Sequence, residues 1–228
     1  MRLRRKLSAR RELLCGIDDA GRGPVIGPMV LAGVAFYGDR LSLLGGLGVR
    51  DSKALSPSAR QRLSGQILRA ADGVEVEVVQ PNEIDEYVRR RQKLWKLNRL
   101  EAERAARILQ RLKPDVAYID APDVDAGRFG GIVGEMLTAR IRIISEHHAD
   151  ETYPLVSAAS IIAKVRRDSE IRKLKDIYGD FGSGYPSDPR TRDFLQKLLS
   201  GGDEVPTIVR RTWKTLKRLG REGSTTQA

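Results

Sequence analysis

A short apolar run, Leu13 to Ile17, stops at two aspartates, and after a Gly/Pro turn a longer run begins, Met29 to Tyr37. Uninterrupted apolar runs of this length read as strands buried on both faces. The remainder of the chain alternates between helix-like and strand-like periodicity, without an internal repeat. A chain of that kind is restricted to an α/β core in which helices cover a sheet, and the helices that close the sequence predict a helical appendage at the C-terminal end.

The elements are assigned from period and punctuation. Pro57 to Ala71 is predicted helical, with Ser56 as N-cap and Pro57 in the first turn. Val74-Glu-Val-Glu-Val-Val79 alternates and predicts a strand with one wet face. Asn82 is read as the cap of a helix through Arg90. A longer helix, about Trp95 to Leu112, carries Leu97, Leu100, Ala105, Ile108 and Leu112 as an apolar stripe, and Pro114 stops it. Asp115 to Asp120 and Arg140 to Ser145 are predicted strands, bracketing a Gly-rich stretch and a short helix around Val133 to Thr138. Pro154 to Lys175 reads as one helix, Gly179 to Pro189 breaks the pattern, and helical patches are expected near 190–199 and 206–220. The Leu/Gly-rich stretch 41–49 has no clear period and is left as helix or loop.

Carboxylates fall at the ends of the predicted strands. Asp18 and Asp19 end the first, Asp120 ends Val-Ala-Tyr-Ile-Asp, and Asp150 follows Ile-Arg-Ile-Ile-Ser. In open α/β sheets, sites gather at the carboxyl ends of strands. If these strands are neighbours the carboxylates converge, and converging like charges call for a compensating cation. Oxygen-only ligands suit Mg²⁺ or Mn²⁺, and two such ions about 3.5 to 4 Å apart clamp a phosphodiester. The competing reading is that an aspartate at a strand end simply opens a turn, and spacing alone does not decide between the two. Adjacent strand residues face opposite sides, so Asp18 and Asp19 are expected to share a site through an end or kink of the strand between them.

Charge identifies the partner class. Lys and Arg number 41 against 30 Asp and Glu, a net charge of +11. Such a balance points to a polyanion, nucleic acid being the commonest. The single cysteine, Cys15, excludes an internal disulfide and a cysteine-rich zinc site, and its apolar setting marks it as a buried small side chain. No apolar stretch reaches the roughly 18 residues a membrane span needs, and the basic start lacks the apolar region of a secretory signal, so a cytoplasmic protein without membrane association is expected.

The turn Gly21-Arg22-Gly23-Pro24 lets backbone groups approach a ligand that a Cβ would exclude. With its surroundings, Gly16-Ile-Asp-Asp-Ala-Gly-Arg-Gly-Pro-Val-Ile-Gly-Pro28, it resembles the opening motif of ribonuclease HII. Asp51-Ser-Lys-Ala-Leu55, Tyr118-Ile-Asp-Ala-Pro122, Glu146-His-His-Ala-Asp150 and Ser157-Ala-Ala-Ser-Ile-Ile-Ala-Lys164 resemble that family's later motifs, in order. Tyr153-Pro154 and Phe181-Gly-Ser-Gly-Tyr-Pro-Ser-Asp-Pro-Arg-Thr191 are similar to its archaeal branch.

The resemblance implies a ribonuclease H-like fold, a mixed central sheet flanked by helices, over residues 1–185, with a C-terminal helical subdomain over 186–228. It implies a Mg²⁺- or Mn²⁺-dependent endonuclease that acts, as a monomer, on RNA–DNA hybrids and on ribonucleotides embedded in DNA, leaving 5′-phosphate and 3′-hydroxyl ends. By position it implies that Asp18, Asp19, Asp120 and Asp150 are the catalytic, metal-binding carboxylates. Gly21, Arg22 and Gly23 are then the loop that senses the ribose 2′-OH, Tyr185 the ring that stacks at the RNA–DNA junction, and Lys53 a phosphate contact, with Lys164, Arg166 and Arg167 adding a basic rim.

One position departs from the family pattern, which has glutamate where this chain has Asp19. The side chain is shorter by about 1.5 Å, one C–C bond, and ligand distances tolerate only about 0.2 Å. A Mn²⁺ preference stronger than usual is therefore expected. His147 and His148 are read as packing or hydrogen-bonding neighbours of Asp150, not ligands, and Trp95 and Trp213 as core. Two other functions share parts of this pattern. A non-catalytic nucleic-acid binder leaves the carboxylates without a purpose, and a junction resolvase of the same fold needs neither the Gly-Arg-Gly turn nor Tyr185.

Overall fold

The computed structural model describes residues 11–49, 55–89, 96–201, 204–216 and 218–219. Lys53, Arg90 and Trp95 lie outside them. Among the described residues five strands form one sheet: β1 (Leu13–Ala20), β2 (Met29–Tyr37), β3 (Gly73–Val79), β4 (Val116–Asp120) and β5 (Arg142–Glu146), in the order β3-β2-β1-β4-β5. β1, β2 and β3 pair antiparallel, and β4 and β5 run parallel to β1, so the sheet is mixed, as expected. The helices are α1 (Ser42–Leu47), α2 (Pro57–Ala70), α3 (Pro81–Arg89), α4 (Lys96–Leu112), α5 (Ala126–Glu135), α6 (Ala149–Thr152), α7 (Pro154–Tyr178) and α8 (Pro189–Ser200).

Each sheet face has its own core. Odd positions of β1, Cys15 and Ile17, pack with Leu100, Ala105 and Ile108 of α4 and Phe129 and Val133 of α5. Even positions, Leu14 and Ala20, pack with Leu63 and Ile67 of α2 and with Leu155, Ala158 and Ile162 of α7. Each large side chain taken out of water here contributes roughly 1.5–3 kcal/mol. Two glycines set how closely the helices lie. A Cβ at Gly16 would come within 2.3 Å of the Leu155 carbonyl carbon, and one at Gly33 within 2.3 Å of Ile108 Cγ2. The first turn of α7 therefore rests on β1, and α4 rests on β2 from the other side, bringing both helices to the end of β1 where the aspartates stand.

A third cluster joins Val25 and Ile26, Ile171 of α7, Phe181, Leu195 of α8, Ile208, Val209 and Leu219. The last segment thus packs against the turn that follows β1. No described helix is long and apolar enough to cross a membrane.

Several local expectations are corrected. β1 does not end or kink between the aspartates; it runs to Ala20 in unbroken register, Asp18 opposite Ala32 and Asp19 opposite Leu31. The helix predicted around Val133 to Thr138 is α5, which starts at Ala126 because Asp125 caps it, accepting from Arg128 N at 2.9 Å. Its glycines masked the period, and one is needed, since a Cβ at Gly130 would meet Ser145 Cβ at 2.9 Å. Asn82 lies inside α3; the helix is closed instead by Glu83, whose carboxylate accepts from Gln80 N at 2.9 Å. Of the helix predicted over 206–220, helical backbone is found at 214–216 and 218–219. Upstream, Val209 bridges Ile26, and Arg210 N donates to Val25 O at 2.8 Å, which ties that stretch of turns to the loop after β1.

Candidate active site

Parallel pairing of β1 with β4 ends at Ile17 and Ile119. Asp18 and Asp120 come next, on the sheet face that α7 covers, and Asp19 falls on the face that α4 covers. Asp18 is 7 % exposed, and its Oδ1 accepts from Asp19 N at 2.7 Å. Asp120 Oδ1 accepts from Ala149 N at 2.9 Å, which ties α6, and with it Asp150, to the end of β4. The Asp150 carbonyl in turn accepts from Ser157 Oγ of α7.

Asp18, Asp19 and Asp120 line one small cleft of about 10 Å³, walled by Leu31 and Phe129. A fourth carboxylate lines it too, Glu101 of α4, which is 2 % exposed. Asp150 stands outside this cleft, half-buried. Among the described residues no three acidic, His or Cys side chains are already at the spacing of a ligand set.

The electrostatics are those of a site short of positive charge. Burial, then the neighbouring Asp19 and Asp120, raise Asp18 well above the usual carboxylate range, against the nearby Ser160 hydroxyl. Burial and the Glu101 charge push Asp19 up to about 7, although Arg22 pulls the other way. Glu101 is raised to about 7 by burial, again against Arg22. Oxygen-only donors that resist ionisation in one cleft fit a hard divalent cation, which supplies the missing charge.

The loop after β1 forms the wall next to this cleft. Gly21 has φ +86°, which favours glycine, and a Cβ there would lie 2.2 Å from Arg167 Nε and 2.8 Å from Pro28 O. Arg22 ion-pairs with Glu101 and donates to Asn98 Oδ1 at 2.7 Å. From the far end of the chain comes Arg210, fully buried, whose guanidinium donates to Gly21 O at 2.6 Å, Arg22 O at 2.7 Å and Gly27 O at 3.0 Å. Trp213 Nε1 adds a bond to Gly23 O at 3.1 Å.

Beyond the loop opens a larger cleft of about 410 Å³, lined by Asp19, Gly21 to Gly23, Arg60, Lys164, Arg167, Asp168 and Tyr185. Tyr185, 41 % exposed, lies beside Gly23, with the Arg167 guanidinium 5.6 Å from its ring centre. Arg167 is buried, and its Nε and Nη2 have no hydrogen-bond partner among the described residues. An arginine so placed is suited to phosphate.

The structure therefore brings together Asp18, Asp19, Asp120, Gly21, Arg22, Gly23 and Tyr185, and tethers Asp150 alongside; Lys53 is not described. Arg166 belongs elsewhere, exposed and paired with Glu170 at 2.9 Å. The histidines are exposed and outside the cleft, His148 at φ 54° beginning α6. Two residues escaped the sequence reading. Glu101 sits four residues from both Leu97 and Ala105 on the apolar stripe, and a charge at a core position was its signal. Arg210 gave none, because its partners are carbonyls about 190 residues away.

The sequence model of the family described as Ribonuclease HII matches residues 15–216. The chain is 48% identical over 206 residues, 90% of its own length and 89% of the relative's, to the Ribonuclease HII of Pyrococcus furiosus. Among solved structures it is similar to the ribonuclease H2 of Pyrococcus horikoshii, with a TM-score of 0.84 at 45% identity over 92% of this chain and 98% of the other. It is likewise similar to the chain from the PCNA:RNase HII complex of Archaeoglobus fulgidus, with a TM-score of 0.80 at 47% identity over 90% and 96%. Sheet order, the clustered carboxylates and the Gly-Arg-Gly wall thus meet an agreement spanning nine-tenths of the sequence: this chain belongs to the ribonuclease HII family in its archaeal form, the type 2 ribonuclease H endonucleases.

Proposed function

We propose that the chain hydrolyses the RNA strand of RNA–DNA hybrids and cuts at single ribonucleotides embedded in DNA, leaving 5′-phosphate and 3′-hydroxyl ends. The observation that carries this reading is the juxtaposition of two clefts: a small acidic one holding Asp18, Asp19 and Asp120, and a larger one in which Gly21 to Gly23 and Tyr185 face each other. Asp18, Asp19, Asp120 and Asp150 are the residues to hold the divalent cations, Mn²⁺ or Mg²⁺. Two ions so held would supply activation of the attacking water and stabilisation of the leaving oxyanion.

The chain's own groups position the substrate. Peptide groups of Gly21 to Gly23 read the ribose, because the 2′-OH is the local feature that separates RNA from DNA. Arg210 fixes the carbonyls of that loop, so its shape is set before substrate arrives. Tyr185 offers a flat face for stacking, and Arg167 and Lys164 supply charge toward the backbone phosphates. The segment from 186 onward is, in this reading, a subdomain whose work is to hold that wall.

The test is cleavage of a DNA duplex bearing one ribonucleotide, in Mg²⁺ and in Mn²⁺, with the cut position mapped. Cutting beside the ribonucleotide, loss of activity in Asp18→Asn, and an intact all-DNA duplex are expected. Equal cutting of the all-DNA duplex would remove the proposed role of the glycine turn.

A further inference from the structure

Glu101 is the one charged side chain in the buried stripe of α4, between Leu100 and Ala102. Its two oxygens have different environments. Oε2 takes the Arg22 guanidinium, while Oε1 is buried without a hydrogen-bond partner among the described residues. A buried carboxylate oxygen left unpaired costs more than the few kcal/mol of a lost neutral hydrogen bond, so it persists only where something else satisfies it. Glu101 lines the same small cleft as Asp18, Asp19 and Asp120. Among the described residues, Arg22 and Arg210 are cations felt by both Asp19 and Glu101.

We propose that Glu101 is a further carboxylate of the divalent-cation site, contributing Oε1 to the ion while Oε2 anchors Arg22 of the ribose-sensing loop. The same side chain then couples the metal site to the loop. An ion in the cleft draws on Oε1, and the position of Oε2 sets where the Arg22 guanidinium rests. Arg22 has a second anchor in Asn98, one turn before Glu101 on the same helix, so α4 acts as the rigid mount for both. The inference rests on the proposal that this cleft holds a divalent cation.

The experiment is Mn²⁺ binding to the full chain by isothermal titration calorimetry, for wild type, Glu101→Gln, Glu101→Asp and Arg22→Met, with circular dichroism to check the fold. Glu101→Gln keeps the shape and an acceptor for Arg22 but removes the charge. It is expected to raise the Mn²⁺ dissociation constant about tenfold, at the lower end for groups that support a metal site. Glu101→Asp is expected to fall between Gln and wild type, and it serves if Glu101→Gln does not fold. Arg22→Met removes a cation and no carboxylate, so Mn²⁺ affinity should not weaken, while discrimination between ribonucleotide and deoxyribonucleotide substrates should. Unchanged Mn²⁺ affinity in a folded Glu101→Gln overturns the proposal. Equal loss of affinity in Arg22→Met and Glu101→Gln overturns it as well, because Glu101 would then act only through the loop. Failure of wild type to bind Mn²⁺ at all would instead remove the cation site on which the inference rests.

Discussion

Replacing Arg210 with methionine keeps much of the buried side-chain volume and deletes three hydrogen bonds at once, those to Gly21 O, Arg22 O and Gly27 O. Bonds from a charged donor contribute about 1.5–3 kcal/mol each, and the carbonyls left behind lose that donor. Against this stands the burial of the guanidinium itself, which depresses its pKa and is relieved by the substitution. The net expectation is a loss of about 3–5 kcal/mol, a large part of the 5–15 kcal/mol typical of a domain, so the chain stays folded with a loosened loop. Urea unfolding measures the first part. Cleavage of duplexes with and without a ribonucleotide measures the second, with kcat/KM expected to fall roughly a hundredfold from a displacement of about 1 Å in the wall. Arg210→Lys offers one ammonium in place of a planar fork and should recover less than half of the stability. If Arg210→Met unfolds within about 1 kcal/mol of wild type and discriminates ribose equally well, the clamp has no role in recognition and the reasoning fails.

Four other outcomes are expected from the same geometry. Asp19→Glu should raise Mg²⁺-supported turnover relative to Mn²⁺, since the added methylene restores about 1.5 Å of reach; equal turnover of wild type in the two saturating metals would count against a shortfall. In chelator, Asp18, Asp19 and Glu101 hold their protons in the folded chain to higher pH than when unfolded, Asp19 and Glu101 to about 7. Stability should therefore fall as pH rises from about 4 to 7, and Mn²⁺ should suppress the fall; urea midpoints at pH 5 and 8 that rise with pH in chelator would contradict it. Gly21→Ala forces a side chain into φ +86° and against Pro28 O at 2.8 Å, so activity measured at saturating metal should drop at least a hundredfold, with unfolding shifted by only about 1–2 kcal/mol. Tyr185→Ala should raise KM on ribonucleotide-containing duplexes by about tenfold, the value of one stacked base, whereas Tyr185→Phe should stay near wild type.

Legibility in the sequence followed the range of the interaction concerned. Strands β1 and β2 are readable as uninterrupted apolar runs, β3 from its alternation, and helices α2 and α4 from punctuation and a 3.6-residue stripe. α5 was misplaced because Gly127, Gly130, Gly131 and Gly134 carry no period, although Asp125 marks its start. The last segment was misread because its conformation is dictated by Val25 and Ile26, partners remote in the chain. Within the site, Asp18, Asp19 and Asp120 are visible as strand-end carboxylates, whereas Tyr185 enters only through the resemblance to ribonuclease HII. Asp150 was visible too, but its tether through Ala149 to Asp120 is a tertiary fact. Glu101 is hidden because it stands within an otherwise apolar stripe, and its partner Arg22 lies 79 residues away.

The unbroken course of β1 explains why a residue such as Glu101 belongs in the site at all. With no kink between them, Asp18 and Asp19 leave the strand on opposite faces, one toward α7 and one toward α4. A pocket built from both must straddle the end of the sheet and draw on the helices of both layers. From the α7 side come Ser157, bonded to the Asp150 carbonyl, and Ser160 beside Asp18. From the α4 side come Glu101 and Asn98, which hold Arg22. Gly16 and Gly33 let both helices approach closely enough for that reach. The two adjacent aspartates thus become an opening between layers, and the loop that follows them is fixed from α4 by Glu101 and from the chain's far end by Arg210.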